Sequence, residues 1–217
     1  MPLARHVVFD LDGIIVDSEP THERATDEYL AGLGTTVDRA LRDAMMGRRV
    51  RDLTDAIAAR LSRPPDEVFA EREAIFWRLL GSDGVQAMPG LHGAIASLVG
   101  AGLALAVATS GTRAYVDHVL ERLGVREAFG VVVSGEDVVH GKPDPETYLR
   151  AAALLRADPR DCVALEDTFH GVTAARAAGM HAVAIPNPLT AGMDFHAADA
   201  VLPDLEAAAA YVLAPSS

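Results

Sequence analysis

The chain has 217 residues, 50% of them hydrophobic and 23% charged; that balance excludes a disordered polymer and fits one large domain or a core domain with an insert. A formal net charge of -12 argues against nucleic acid or an anionic membrane surface as partner. The single cysteine, Cys162, excludes an intrachain disulfide framework, and the eight histidines lack the H-x-x-x-H or Cys/His spacing of a zinc site.

The chain opens with His6-Val7-Val8-Phe9, a short β-branched and aromatic run that reads as a strand buried on both faces. No charged-then-apolar leader precedes it, and no apolar stretch of spanning length is free of charges or turn residues, so a cytoplasmic, soluble protein is expected. Asp17-Ser18-Glu19-Pro20 then supplies a cap, acidic charge and an early proline, predicting a helix to about Leu33. From Val37 to Leu80 the pattern is helical almost throughout. One helix ends at Gly47; a second carries the stripe Leu53, Ile57, Leu61; a third opens at Pro64-Pro65-Asp66, with Trp77 on its apolar stripe. No strand signal falls between Ile14 and Val85.

The pattern changes at Met88-Pro89-Gly90. Beyond it, helices at 91–101, 113–123, 145–156 and 168–178 alternate with strands at 103–108, 131–133, 162–165 and 181–185. A short strand at 200–202 and a helix from Leu205 close the chain. This βαβ alternation predicts an α/β fold with a parallel sheet covered on both faces. The expected domains are a core of 1–15 and 88–217 and an inserted α-helical unit of 16–87.

Ligands of such sheets sit at the carboxyl ends of the strands. The first strand ends in Asp10-Leu11-Asp12-Gly13, the 103–108 strand in Thr109-Ser110-Gly111, and the 162–165 strand in Glu166-Asp167. Gly141-Lys142-Pro143-Asp144-Pro145 adds a cation where a loop meets a helix start. Asp10 and Asp12 share one side of an extended segment, and their mutual repulsion calls for a divalent cation, for which carboxylate oxygens suit Mg²⁺. The set fits phosphoryl transfer through an aspartyl-phosphate. Asp10 would be the carboxylate nucleophile. Mg²⁺ would be held by Asp10, Asp167 and a backbone carbonyl near Asp12, with Glu166 a ligand directly, through water, or only an orienting group. Thr109, the Ser110 N–H and Lys142 would hold the phosphoryl oxygens, with Gly111 beside them, and Asp12 would act as acid and then base. Asp144 reads as the cap of the helix at Pro145, and Arg113 either faces the site or lies on a helix surface.

Phe9-Asp10-Leu11-Asp12-Gly13, Ala108-Thr109-Ser110, Lys142-Pro143 and Leu165-Glu166-Asp167 resemble the four motifs of the haloacid dehalogenase superfamily, in order and over essentially the whole chain. With Gly135-Glu136-Asp137 and Asp167-Thr168 followed by Gly171, the likeness is nearest to the β-phosphoglucomutase-like phosphatases. It implies a Rossmann-like core, a helical cap inserted after the first strand, Mg²⁺ dependence, and phosphate chemistry in place of dehalogenation because an aspartate stands at position 12.

The resemblance also places His22 where the family's mutases carry a histidine linking cap closure to the acid/base aspartate; a surface or half-buried helix histidine is the alternative. In Met46-Gly47-Arg48-Arg49-Val50-Arg51, Gly47 with Arg48 or Arg49 is the expected substrate contact, and solvated helix-start arginines are the alternative. The mutases' lysine slot is Met46 and their arginine slot Val50, which argues for a hydrolase. The expected activity is hydrolysis of a small phosphorylated metabolite, a sugar or polyol phosphate, by a monomer. A β-phosphoglucomutase-type mutase and a non-catalytic phosphometabolite-binding protein are the alternatives.

Overall fold

A computed structural model describes residues 4–36 and 50–214. Two compact units divide at Asp17/Ser18 and Val85/Gln86. Within the first unit the two connecting arms are hydrogen-bonded to each other, Asp17 N–H to Gln86 O at 2.9 Å and Met88 N–H to Ile15 O at 3.0 Å.

The first unit is a Rossmann-like α/β fold built on a six-stranded parallel sheet. Its strands are β1 (His6–Phe9), β2 (Ala104–Ala108), β3 (Phe129–Val133), β4 (Cys162–Glu166), β5 (His181–Ala184) and β6 (Ala200–Val201), in the order β3-β2-β1-β4-β5-β6. β1 lies between β2 and β4, with Phe9 paired to Val107 on one side and Leu165 on the other. The intervening helices include α4 (Leu91–Gly100), α5 (Arg113–Arg122), α6 (Glu146–Leu155), α7 (Phe169–Ala177) and α8 (Leu205–Leu213).

Alternation sorts the strand residues to two faces. Val8, Ala106, Ala164 and Ala182 share a cluster with Tyr148, Ala151 and Ala152 of α6 and Val172, Ala174 and Ala175 of α7. Alanine against alanine lets these helices approach the sheet closely. The alternate residues Val7, Phe9, Leu105, Val107 and Leu165 are also buried, so the strands read as continuous apolar runs. Cys162 is fully buried in this core, where desolvation raises its thiol to about 11 and keeps it inert.

The second unit contains α1 (Glu19–Gly32), α2 (Val50–Leu61) and α3 (Pro65–Asp83). Tyr29, Leu30, Ile57, Ala58 and Val68 form its core, with Leu53, Leu61 and Ile75 packed against it. Phe76 takes the buried position on α3; Trp77, expected on the apolar stripe, is 36% exposed and meets Phe76 edge-on at 6.3 Å. Adjacent positions on a helix are about 100° apart, so both rings cannot face the same core. No helix among the described residues is long and apolar enough to cross a membrane.

Candidate active site

All strands of a parallel sheet end at the same edge, and here the ladder continues past the strand ends. Asp10 N–H donates to Leu165 O at 3.0 Å, Thr109 N–H to Val133 O at 3.0 Å, and Ile185 N–H to Glu166 O at 2.7 Å. These bonds hold the backbone of the polar residues as firmly as that of the strands. Asp10, Thr109, Glu166 and Asp167 are all buried.

Lys142 enters from the loop before α6. Its Nζ donates to Asp10 Oδ1 at 2.6 Å, Glu166 Oε1 at 2.6 Å and the Ala108 carbonyl at 3.0 Å, which uses all three ammonium protons. The Tyr148 ring lies 5.0 Å from Nζ and adds a π face. Burial disfavours the charged ammonium, but Asp10 and Glu166 outweigh it and raise its pKa. Asp10 is raised as well: burial dominates, Lys142 opposes it, and Glu166 and Asp12 add to it. The attraction within the pair therefore registers on Lys142, while on Asp10 it is outweighed by lost hydration.

Glu166 has both oxygens engaged. Oε1 accepts from Lys142 and from the Tyr148 hydroxyl at 2.5 Å, and Oε2 accepts from Thr168 Oγ1 at 3.3 Å. Asp167 differs. Its Oδ2 accepts from Asn187 Nδ2 at 2.9 Å, whereas Oδ1 is buried with no hydrogen-bond partner among the described residues. Burial, then Glu166 and Asp10, push its carboxyl well above the usual range.

Carboxylate oxygens of Asp10, Glu166 and Asp167 lie within 4.8 Å of one another. Carboxylate oxygens at that spacing, one of them buried without a donor among the described residues, could hold a metal ion, and hard oxygen ligands suit Mg²⁺. The Asp12 side chain is not in this group, the ligand expected there being a backbone carbonyl; its Oδ1 accepts from the Tyr115 hydroxyl at 2.7 Å. Gly13 makes the geometry possible. It sits at φ 79°, and a Cβ there would come within 2.2 Å of Asp167 Oδ2.

Thr109 Oγ1 accepts from Gly111 N–H at 3.0 Å and keeps its own proton to donate. Ser110 is exposed and Gly111 half-buried; Gly135 N–H donates to Gly111 O at 2.8 Å and pins their loop. Asp144 Oδ1 accepts from Glu146 N–H at 2.9 Å, but the N-cap of α6 is Pro145, so Asp144 is not the cap residue expected and lies one position before it. Arg113 is turned to Asp137 at 2.5 Å and the Val132 carbonyl at 3.0 Å.

His22 belongs to the helical unit. Its ring stacks on Phe76 at 4.2 Å, and Nδ1 lies 2.9 Å from Nη2 of the buried Arg72. A guanidinium only donates, so Nδ1 is the acceptor and Nε2 carries the proton. Burial, and secondarily Arg72, lower this histidine to about 3. Gly47, Arg48 and Arg49 lie outside the described residues. Arg51 is paired with Asp55 at 2.8 Å and Asp66 at 2.6 Å, as a solvated helix-start arginine would be.

Four participants escape sequence reasoning: Tyr115, Tyr148, Asn187 and Arg72. Asn187 alone had a signal, since it follows the end of β5 and the strand-end rule applies to it too. Both tyrosines read as apolar helix positions, which their rings are.

The sequence matches the haloacid dehalogenase-like hydrolases over residues 4–179. It is 36% identical to the fructose-1-phosphate phosphatase YqaB of Escherichia coli K12, over 82% of this chain and 94% of that one. It is 33% identical to hexitol phosphatase B of the same organism, over 83% of each chain. Among solved structures, a mutant CbbY from Rhodobacter sphaeroides in complex with xylulose-1,5-bisphosphate superposes with a TM-score of 0.79 at 28% identity, covering 93% of this chain and 95% of that one.

Proposed function

The chain belongs to the haloacid dehalogenase-like hydrolases and is a phosphoric monoester hydrolase, and from that premise we propose that it hydrolyses a small sugar or polyol phosphate through a phosphorylated Asp10. The observation that carries the reading is the 2.6 Å contact of Lys142 with Asp10 beside Asp167 Oδ1, which has no partner among the described residues.

Lys142 occupies Asp10 Oδ1, which leaves Oδ2 as the attacking atom. That oxygen bonds to phosphorus, the ester P–O bond breaks, and Asp12 protonates the departing oxygen. Asp12 then takes a proton from the water that attacks the phosphoryl group, and phosphate leaves as Asp10 is restored. Thr109 Oγ–H and the Ser110 N–H face the charge that builds on the phosphoryl oxygens, and the Lys142 ammonium, its three protons already engaged, acts on it through its charge. Glu166 keeps Lys142 charged and aimed. Mg²⁺ bound by Asp10 and Asp167 would offset the repulsion between nucleophile and phosphate dianion.

The substrate class rests on the relatives, whose names specify hexitol and fructose 1-phosphate phosphatases. The helical unit is the proposed cap, with His22, Gly47, Arg48 and Arg49 as its contribution to substrate selection. The test is phosphate release from p-nitrophenyl phosphate and a panel of sugar and polyol phosphates, with and without Mg²⁺. Release should require the metal and vanish in Asp10→Asn; full activity in that variant would refute the nucleophile. Isomerisation of β-glucose 1-phosphate would indicate a mutase, and tight binding without turnover a binding protein.

A further inference from the structure

We infer that Tyr115 is a positioning residue for Asp12: its phenol holds Oδ1 of that carboxylate and so favours Oδ2 as the oxygen that carries the transferable proton. The inference rests on Asp12 being the acid and base of the reaction proposed above. The contact is 2.7 Å between residues 103 apart in the chain, and the tyrosine is buried. A phenol is protonated at neutral pH, so it donates and the carboxylate accepts.

The ring is seated by the loop that carries the phosphate-facing groups. Tyr115 lies in the first turn of α5, where its N–H donates to Thr112 Oγ1 at 3.4 Å. A Cβ on Gly111 would come within 3.0 Å of Tyr115 Cδ1 and 3.5 Å of Thr109 Oγ1. Gly111 thus leaves the gap that the ring fills, and one short loop sets both Thr109 and the phenol.

An unrestrained carboxyl offers two equivalent oxygens and rotates between them. With Oδ1 taken, Oδ2 is favoured to carry the proton. In the first step the Asp10 oxygen bonds to phosphorus, the ester P–O bond breaks, its electron pair stays on the ester oxygen, and that oxygen receives the proton from Asp12 Oδ2. In the second, water oxygen bonds to phosphorus, its proton passes to Asp12 Oδ2, and the P–O bond to Asp10 breaks. Proton delivery matters most for a leaving group that is a poor anion.

That dependence supplies the test. Tyr115→Phe removes one oxygen and keeps the ring, and a thermal melt checks that the fold persists. kcat/KM is measured on a polyol phosphate, whose alkoxide needs a proton, and on p-nitrophenyl phosphate, whose phenolate does not. This ratio reads the steps up to phosphorylation of Asp10 and omits the shared hydrolysis of the intermediate. The expected result is a fall of about tenfold or more on the polyol phosphate, below the full general-acid contribution, against a much smaller fall on p-nitrophenyl phosphate. Equal losses on both substrates, or no loss on either, would overturn the inference. Asp12→Asn on the same pair separates the two layers. If it shows the leaving-group dependence and Tyr115→Phe does not, only the role of Tyr115 fails; if Asp12→Asn shows none, the acid assignment fails and takes this inference with it.

Discussion

Replacing Lys142 with methionine removes the ammonium from between two buried carboxylates and keeps an unbranched side chain in its place. The lysine side chain is 8% exposed, that of Asp10 11% and that of Glu166 0%, so solvent does little to screen the loss. Breaking a buried ion pair by deleting one partner costs about 3–5 kcal/mol, because the remaining charge stays buried and uncompensated. For a chain of this size each kcal/mol moves Tm by about 2–4 °C, so the variant should melt roughly 6–20 °C lower. Calorimetry without Mg²⁺ at several pH values measures this. The sign of the pH dependence follows from burial, which already raises Asp10 and raises it further once the cation is gone. A carboxyl whose folded pKa lies above its unfolded value stabilises the fold at low pH and loses that contribution as pH rises through the folded pKa. The deficit of the variant should therefore widen from pH 5 to pH 8. A melting point within 1 or 2 °C of the parent protein, or a deficit that shrinks with rising pH, would refute the buried triad of Asp10, Lys142 and Glu166.

The remaining predictions concern the metal's neighbour and the cap histidine. Asn187→Ala removes the amide that orients Asp167; by analogy with other supporting hydrogen bonds at metal sites, Mg²⁺ affinity should fall about 10- to 100-fold, read from the Mg²⁺ dependence of phosphate release, and an unchanged half-saturation would discount the contact. His22, held at about 3 by burial and Arg72, should show no imidazole titration by NMR between pH 5 and 8, and Arg72→Met should move it upward. The unfolded chain takes up this proton where the folded one does not, so His22 favours unfolding as pH falls below about 6.5, by at most about 1.4 kcal/mol per pH unit. A titration near 6.5 in the intact protein would contradict the Arg72 contact.

Strands and their polar endings were legible in the sequence because both signals are local. Val7 to Phe9 is apolar on every side and then stops at Asp10; Leu165 stops at Glu166-Asp167 in the same manner, and a parallel sheet sends all such endings to one edge. Knowing the edge, however, does not reveal who bonds to whom. That Glu166 serves Lys142 and Tyr148, that one Asp167 oxygen has no donor among the described residues, and that Asp12 leans on Tyr115 are matters of ångströms between groups up to 103 residues apart. Tyr115 and Tyr148 look like ordinary core residues because most of each side chain is one; only packing decides where the hydroxyl at the tip comes to rest. The sequence by itself determined the layout of strands, helices and candidate ligands, since those follow from periodicity and turn chemistry. The tertiary structure decided how the charges are shared, since hydrogen-bond partners depend on distances that no linear spacing encodes.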